Sequence, residues 1–164
     1  MANDLLPIVK TVLEAHDIVY KVFSCDPELA DTAAFCKQYG FSPDQSANTI
    51  LVASKGDPVI YVCCVVLATT KLDVNKKVCQ LLGVKKASFA PMDAALQLSH
   101  MIYGGVTAVG MPSEVPIYVD ASVMQCAEVV MGGGNRSTKL LLNPAELQKL
   151  PNVTVVEGLA KAPK

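Results

Sequence analysis

Tryptophan is absent from this chain and aromatic residues make up only 5% of it, although 51% of its residues are hydrophobic. Its core must therefore be aliphatic, filled by Val, Leu, Ile, Ala and Met. Charge is also scarce, at 18% against about a quarter in an ordinary soluble domain. So little charge on so apolar a chain predicts that a partner covers part of the surface, a second copy forming a homodimer being one candidate. The net charge of −1 excludes a dedicated nucleic-acid clamp, because neutralising many phosphates takes a strongly basic protein. A nucleic acid touched at one end remains allowed.

Histidine is nearly missing too, with only His16 and His100, each read as structural. The six cysteines (25, 36, 63, 64, 79 and 126) form no Cys-x-x-Cys pair, so the spacing of a zinc framework is lacking and neither metal nor cofactor is expected. Cys63 and Cys64 are adjacent in a strand-like run, where side chains alternate between faces and do not readily bridge. Reduced, buried thiols follow, and with them a reducing compartment. The longest apolar run, Val59 to Ala68, is ten residues, half of the ~20 that a membrane helix needs. No basic leader precedes it, and the expected location is the cytoplasm. There is no Gly-x-Ser-x-Gly, no His-Glu-x-x-His and no usefully spaced pair of acids.

The residues that are present predict alternating short elements within a single domain over 1–164. Leu5, Ile8, Val9, Val12 and Leu13 give helical spacing over 4–16, with Asn3 or Asp4 as cap and Pro7 in the first turn. Strands are expected over 18–24, 49–54, 59–67, 86–90, 117–120, 137–142 and 154–156, with Val129 and Val130 leading into a glycine run. The strand over 59–67 is apolar on both faces, which predicts a central position. Helices are expected over 31–39, stopped by Gly40, from the Asp73 cap to Gly83, over 91–100 and over 144–150. The tail from Gly158 is expected to fray. Hairpin-like neighbours mixed with helices indicate a mixed α/β (α+β) domain with a curved, largely antiparallel sheet surrounded by helices.

Three loops are candidates for chemistry. In Tyr103-Gly104-Gly105-Val106-Thr107, paired glycines let backbone N–H groups approach a carbonyl oxygen or phosphate, or else form a plain tight turn. Gly132-Gly133-Gly134-Asn135-Arg136-Ser137 is neither a Walker loop nor a Rossmann turn; it forms a substrate wall or a hairpin connection. Ser46-Ala47-Asn48-Thr49 opens a strand, as a polar rim or a solvated end. Lys71 and Asp73 offer a charged rim, with Asp73 also explained as a helix cap.

Taken in order, Ala47-Asn48-Thr49-Ile50-Leu51-Val52, Val65 to Val78, Ser88-Phe89-Ala90-Pro91, Tyr103 to Thr107, Ile117 to Asp120 and Gly133 to Pro144 make the chain resemble the YbaK / prolyl-tRNA synthetase editing-domain family. The resemblance spans nearly the whole chain and implies hydrolysis of wrongly charged aminoacyl-tRNA. It departs at two positions. Asn48 stands where family members usually carry lysine, and Ala108 where a proline usually closes the glycine loop. Asn48 can orient a carbonyl or the terminal ribose but cannot neutralise a phosphate.

The resemblance implies a free-standing trans-editing deacylase that takes the aminoacyl-tRNA 3' end and selects small aminoacyl groups by pocket size. Its catalytic set would be Asn48, Gly104, Gly105, Val106 and Thr107, with loop amides facing the scissile carbonyl. Thr49, Lys71, Asp120, Ser122, Gly133, Gly134 and Arg136 would bind substrate. The competing expectations are a binding module for tRNA 3' ends or a synthetase partner, and a hydrolase or transferase acting on another small ester.

Overall fold

In a computed structural model, residues 5–101 and 106–162 are described, and ten strands run among four α-helices and several short helical turns. The core is built on β3, Tyr61–Leu67. Its alternating side chains enter two separate aliphatic clusters: Cys63, Val65 and Leu67 in one, Val62, Cys64 and Val66 in the other. A strand buried on both faces belongs in the middle of its sheet. β3 indeed sits third in the five-strand order β5-β2-β3-β6-β9.

β2 (Ala47–Ser54) runs antiparallel to β3, with Ala47 opposite Leu67, and antiparallel to β5 (Ala87–Phe89) on its other side. β6 (Ile117–Asp120) and β9 (Val153–Val156) extend the sheet in parallel. The sheet is therefore mixed, antiparallel on one side of β3 and parallel on the other. The parallel half arises because long connections, not tight hairpins, separate β3, β6 and β9.

A second, antiparallel sheet has the order β1-β8-β7, from Lys21–Ser24, Thr138–Leu142 and Val129–Gly132. A bridge between Ser46 and Val130 places β7 beside the start of β2. α2 (Thr32–Tyr39) lies against this sheet through the rings of Phe23, Phe35, Tyr39 and Phe41, which meet at centroid distances of 5.0–5.7 Å. Four of the nine aromatic residues thus meet at one joint. α2 ends at Gly40, whose φ of 78° is the left-handed conformation that glycine adopts without steric cost.

α1 (Pro7–Ala15) buries Val9 and Leu13 and starts after Leu6, with no side-chain cap; Asn3 and Asp4 lie outside the described residues. β1 starts at Lys21, later than Ile18, because the Ile18 amide turns back to the Leu13 carbonyl at 3.0 Å and closes the helix end. Asp73 caps as expected, accepting from Lys76 N at 3.3 Å. The helix it starts is a π-helical turn, Val74–Val78, that tightens into α3 (Cys79–Leu82). α4 spans Met92–Ser99.

The tail does not fray at Gly158. Leu159 is fully buried, and β10 (Ala160–Lys161) pairs antiparallel with β4 (Lys71–Leu72). The Leu159 carbonyl accepts from Asp73 N, and Ala160 N donates to Asp120 Oδ1 at 3.1 Å. A two-residue pairing has no periodicity to read, which is why composition alone suggested a loose end. No helix among the described residues is long and apolar enough to cross a membrane.

Candidate functional site

The start of β2, the first turn of α2 and the ends of β7 and β8 surround a cavity of about 280 Å³. β2 brings Ser46 through Ile50 to it, α2 and the turn before it bring Asp31, Thr32 and Phe35, and the second sheet brings Gly132 and Lys139. The site forms because the Ser46–Val130 bridge brings two otherwise separate sheets together at one edge.

Asn48 is fixed by its neighbour across the cavity. Thr32 Oγ1 donates to Asn48 Oδ1 at 2.7 Å, so the side-chain carbonyl is occupied and the amide's donor face is the part left to define. The Thr49 hydroxyl is buried and has no hydrogen-bond partner among the described residues. Orphaned hydroxyls of this kind are costly unless a ligand or water completes them.

The cation of this cavity is Lys139, which the sequence did not single out. Its residue is only 7% exposed, and its Nζ donates to the Ala30 carbonyl at 2.7 Å and stands 5.4 Å above the Phe35 ring. Burial, opposed in part by the nearby Cys25, Asp31 and Cys36, holds its pKa below the ordinary lysine value. A lysine inside an otherwise apolar strand, Thr138-Lys139-Leu140-Leu141-Leu142, was the available signal: it has to be either a solvated edge residue or a buried charge.

Of the expected catalytic residues, Gly104 and Gly105 lie outside the described residues. Val106 lines the cavity beside Asn48 and Thr49. Thr107 does not join them: it is fully buried, its N–H donates to Met101 Sδ at 3.4 Å, and its hydroxyl accepts from Val109 N at 3.3 Å. Its amide is directed into the core, toward Met101. Ala108 is buried within the same aliphatic cluster.

The expected substrate-binding residues divide sharply. Thr49 is in the cavity wall. Arg136 braces its rim, donating from Nε to the Pro27 carbonyl at 2.9 Å and pairing with Asp31 at 3.4 Å. Gly133 and Gly134 are closely packed: a Cβ on Gly133 would come within 2.5 Å of Thr138 Oγ1, and one on Gly134, at φ +99°, within 3.0 Å of Val9. The cavity takes Gly132 instead. Asp120 and Ser122 are joined to each other, Ser122 N and Oγ both donating to Asp120 Oδ2, and they tie down the last strand. Lys71 lines a separate groove with Asp73, Phe89 and Lys161. No group of three or more His, Cys, Asp or Glu side chains that could hold a metal occurs among the described residues.

Residues 26–150 match the family model of the aminoacyl-tRNA editing domain. The chain is 23% identical over 153 residues to a proposed Cys-tRNA(Pro)/Cys-tRNA(Cys) deacylase, EbsC, of Enterococcus faecalis, covering 92% of this chain and 91% of that one. The crystal structure of a hypothetical protein superposes with a TM-score of 0.83 at 20% identity, over 94% of this chain and 99% of the other. That of a proposed trans-editing enzyme for prolyl-tRNA synthetase gives 0.79 at 21% identity, over 98% and 100%.

Proposed function

Because this chain belongs to the aminoacyl-tRNA editing domain family, we propose that it is a hydrolase acting in trans on mischarged aminoacyl-tRNA, admitting small aminoacyl groups and excluding larger ones. The observation that carries this reading is the cavity of about 280 Å³ in which Asn48, Thr49, Val106 and Lys139 form one wall system. It is small and lined by both polar and apolar residues, which suits an esterified amino acid at the end of a ribose.

An aminoacyl ester is already reactive, so no strong nucleophile is required. Water adds to the ester carbonyl carbon, the carbon–oxygen bond to the ribose breaks, the ribose oxygen takes a proton and the amino acid leaves as a carboxylate. The protein's share is to place the ester and stabilise the developing oxyanion, and one well-aimed donor supplies roughly 10²–10³ in rate. Asn48, oriented by Thr32, is the donor assigned to the carbonyl or the ribose. Lys139 supplies the positive charge that asparagine cannot, from the neighbouring sheet. With the Thr107 amide turned to Met101, any oxyanion donor from the glycine loop has to come from a residue before it.

Selection by size follows from the cavity's limits, since one extra methylene in a close-fitting pocket costs roughly 10- to 200-fold. The test is release of labelled amino acid from a panel of tRNAs charged with alanine, serine, cysteine, proline or leucine. Small groups should be released at least about tenfold faster than leucine, and Asn48→Ala should abolish most of the turnover. Tight binding of charged tRNA without release would support a binding module, and indifference to every tRNA would end the editing reading.

A further inference from the structure

The lysines of this chain are unevenly placed. Residues 71–86 hold five (Lys71, Lys76, Lys77, Lys85 and Lys86) against one acid, Asp73, in a chain whose net charge is −1. The fold gathers them further. β4 pairs with β10 and adds Lys161, while the π-helical turn carrying Lys76 and Lys77 packs against β5, which starts directly after Lys86. Lys55 joins from the other side, its amide donating to the Lys86 carbonyl at 2.9 Å. Lys55, Lys71, Lys76, Lys85, Lys86 and Lys161 are all exposed.

Two of them, Lys71 and Lys161, line a groove of about 620 Å³ with Asp73, Asn75, Ala87, Ser88 and Phe89, and Lys76 and Lys86 directly follow and precede its wall residues Asn75 and Ala87. Its acid is already engaged, with Asp73 paired to Lys161 at 3.2 Å and accepting from Lys76 N. Phe89 is 62% exposed, whereas Phe23, Phe35, Tyr39 and Phe41 are packed together elsewhere. Ile50, which lines the cavity, and Val74, which lines the groove, both pack against the same aliphatic cluster.

We propose that this groove holds the sugar–phosphate backbone of the tRNA acceptor stem while the charged 3' end occupies the cavity. The proposal rests on the deacylase reading and names how the rest of the substrate is held. Lysines along a concave path match a phosphate backbone, and an exposed ring beside them offers a stacking face for a base or sugar. A concave, aromatic-walled groove backed by the same aliphatic cluster as the cavity wall favours RNA over an anionic membrane, which would call for a flat or convex basic face.

The experiment compares two double charge reversals of equal size, Lys71→Glu/Lys86→Glu in the groove and Lys10→Glu/Lys37→Glu away from it. Each is assayed on full-length aminoacyl-tRNA and on a trinucleotide CCA carrying the same aminoacyl ester. Groove reversal should raise KM for the tRNA about tenfold or more at ~0.1 M salt and flatten its salt dependence, consistent with roughly one released counterion per lost contact. It should change turnover of the trinucleotide by less than about twofold, and the distant pair should change both by less than about twofold. Equal effects of the two pairs on tRNA, or an equal loss on the trinucleotide, would overturn the proposal. If the wild-type protein releases no amino acid from either substrate, the deacylase reading has failed; the groove is then judged by fluorescence anisotropy with uncharged tRNA. Salt-sensitive binding that the groove reversal abolishes supports it. Absence of tRNA binding, or binding to phosphatidylserine vesicles in its place, overturns it.

Discussion

The hydroxyl of Thr32 donates to the side-chain carbonyl of Asn48 at 2.7 Å, joining the first turn of α2 to the start of β2. This bond decides which face of the Asn48 amide is presented to the cavity. Thr32→Val keeps the shape and removes the donor. A hydrogen bond of this kind contributes about 1 kcal/mol to stability, so the thermal midpoint should fall by about 2–4 °C, and kcat/KM for deacylation at a temperature well below that midpoint should fall about fivefold as Asn48 loses its guide. An unchanged kcat/KM would show that Asn48 needs no such guide.

Lys139 gives a pH dependence with a definite sign. Its pKa is lowered by burial, so between that lowered value and 10.5 the unfolded chain binds more protons than the folded one. Stability contributed by this residue therefore rises with pH across that window. Urea midpoints at pH 7 and pH 10 should show the wild type gaining on Lys139→Met as the pH rises. Taking the difference between the two proteins cancels Cys63 and Cys64, whose raised pKa values act in the opposite direction and do not involve Lys139.

The thiols themselves should react in a fixed order. Burial pushes Cys63 well above 9.0 and Cys64 up to about 12, while Cys126 is raised less and is only partly buried. Since the thiolate is the reactive form, a disulfide reagent at pH 8 should modify Cys126 first. Cys63 and Cys64 should stay silent until denaturant is added. Early modification of either, mapped by mass spectrometry, would contradict their place on the two buried faces of β3.

Gly133 and Gly134 should prove structural. In Gly133→Ala the new methyl meets the backbone oxygen of Thr138 at 2.9 Å as well as its hydroxyl, and overpacking of this kind costs about 1–3 kcal/mol. Gly134→Ala adds strain at φ +99°. Both should lower the thermal midpoint by several degrees, about 2–4 °C per kcal/mol at this size. Lost turnover with an unchanged midpoint would instead return them to the substrate wall.

Most of the strand and helix order was legible because it rests on local rules. The two-sided apolar run fixed β3 at the centre of its sheet, Asp73 announced its helix, and Gly40 announced the end of another. The pairing of β4 with β10 was not legible, since two residues carry no period, and the parallel half of the sheet depends on long connections. The family resemblance grouped Thr107 with Asn48, and Asp120 and Ser122 with the substrate. The fold turns Thr107 toward Met101 and spends Asp120 on the last strand.

The amino-acid order by itself determined an aliphatic core and the kinship with editing domains, since these depend on composition and on the order of short motifs along the chain. Only the tertiary structure decided that Lys139, ninety-one positions after Asn48, stands in the same cavity. That meeting depends on one bridge between two sheets, and long-range packing of this kind leaves no mark on local periodicity.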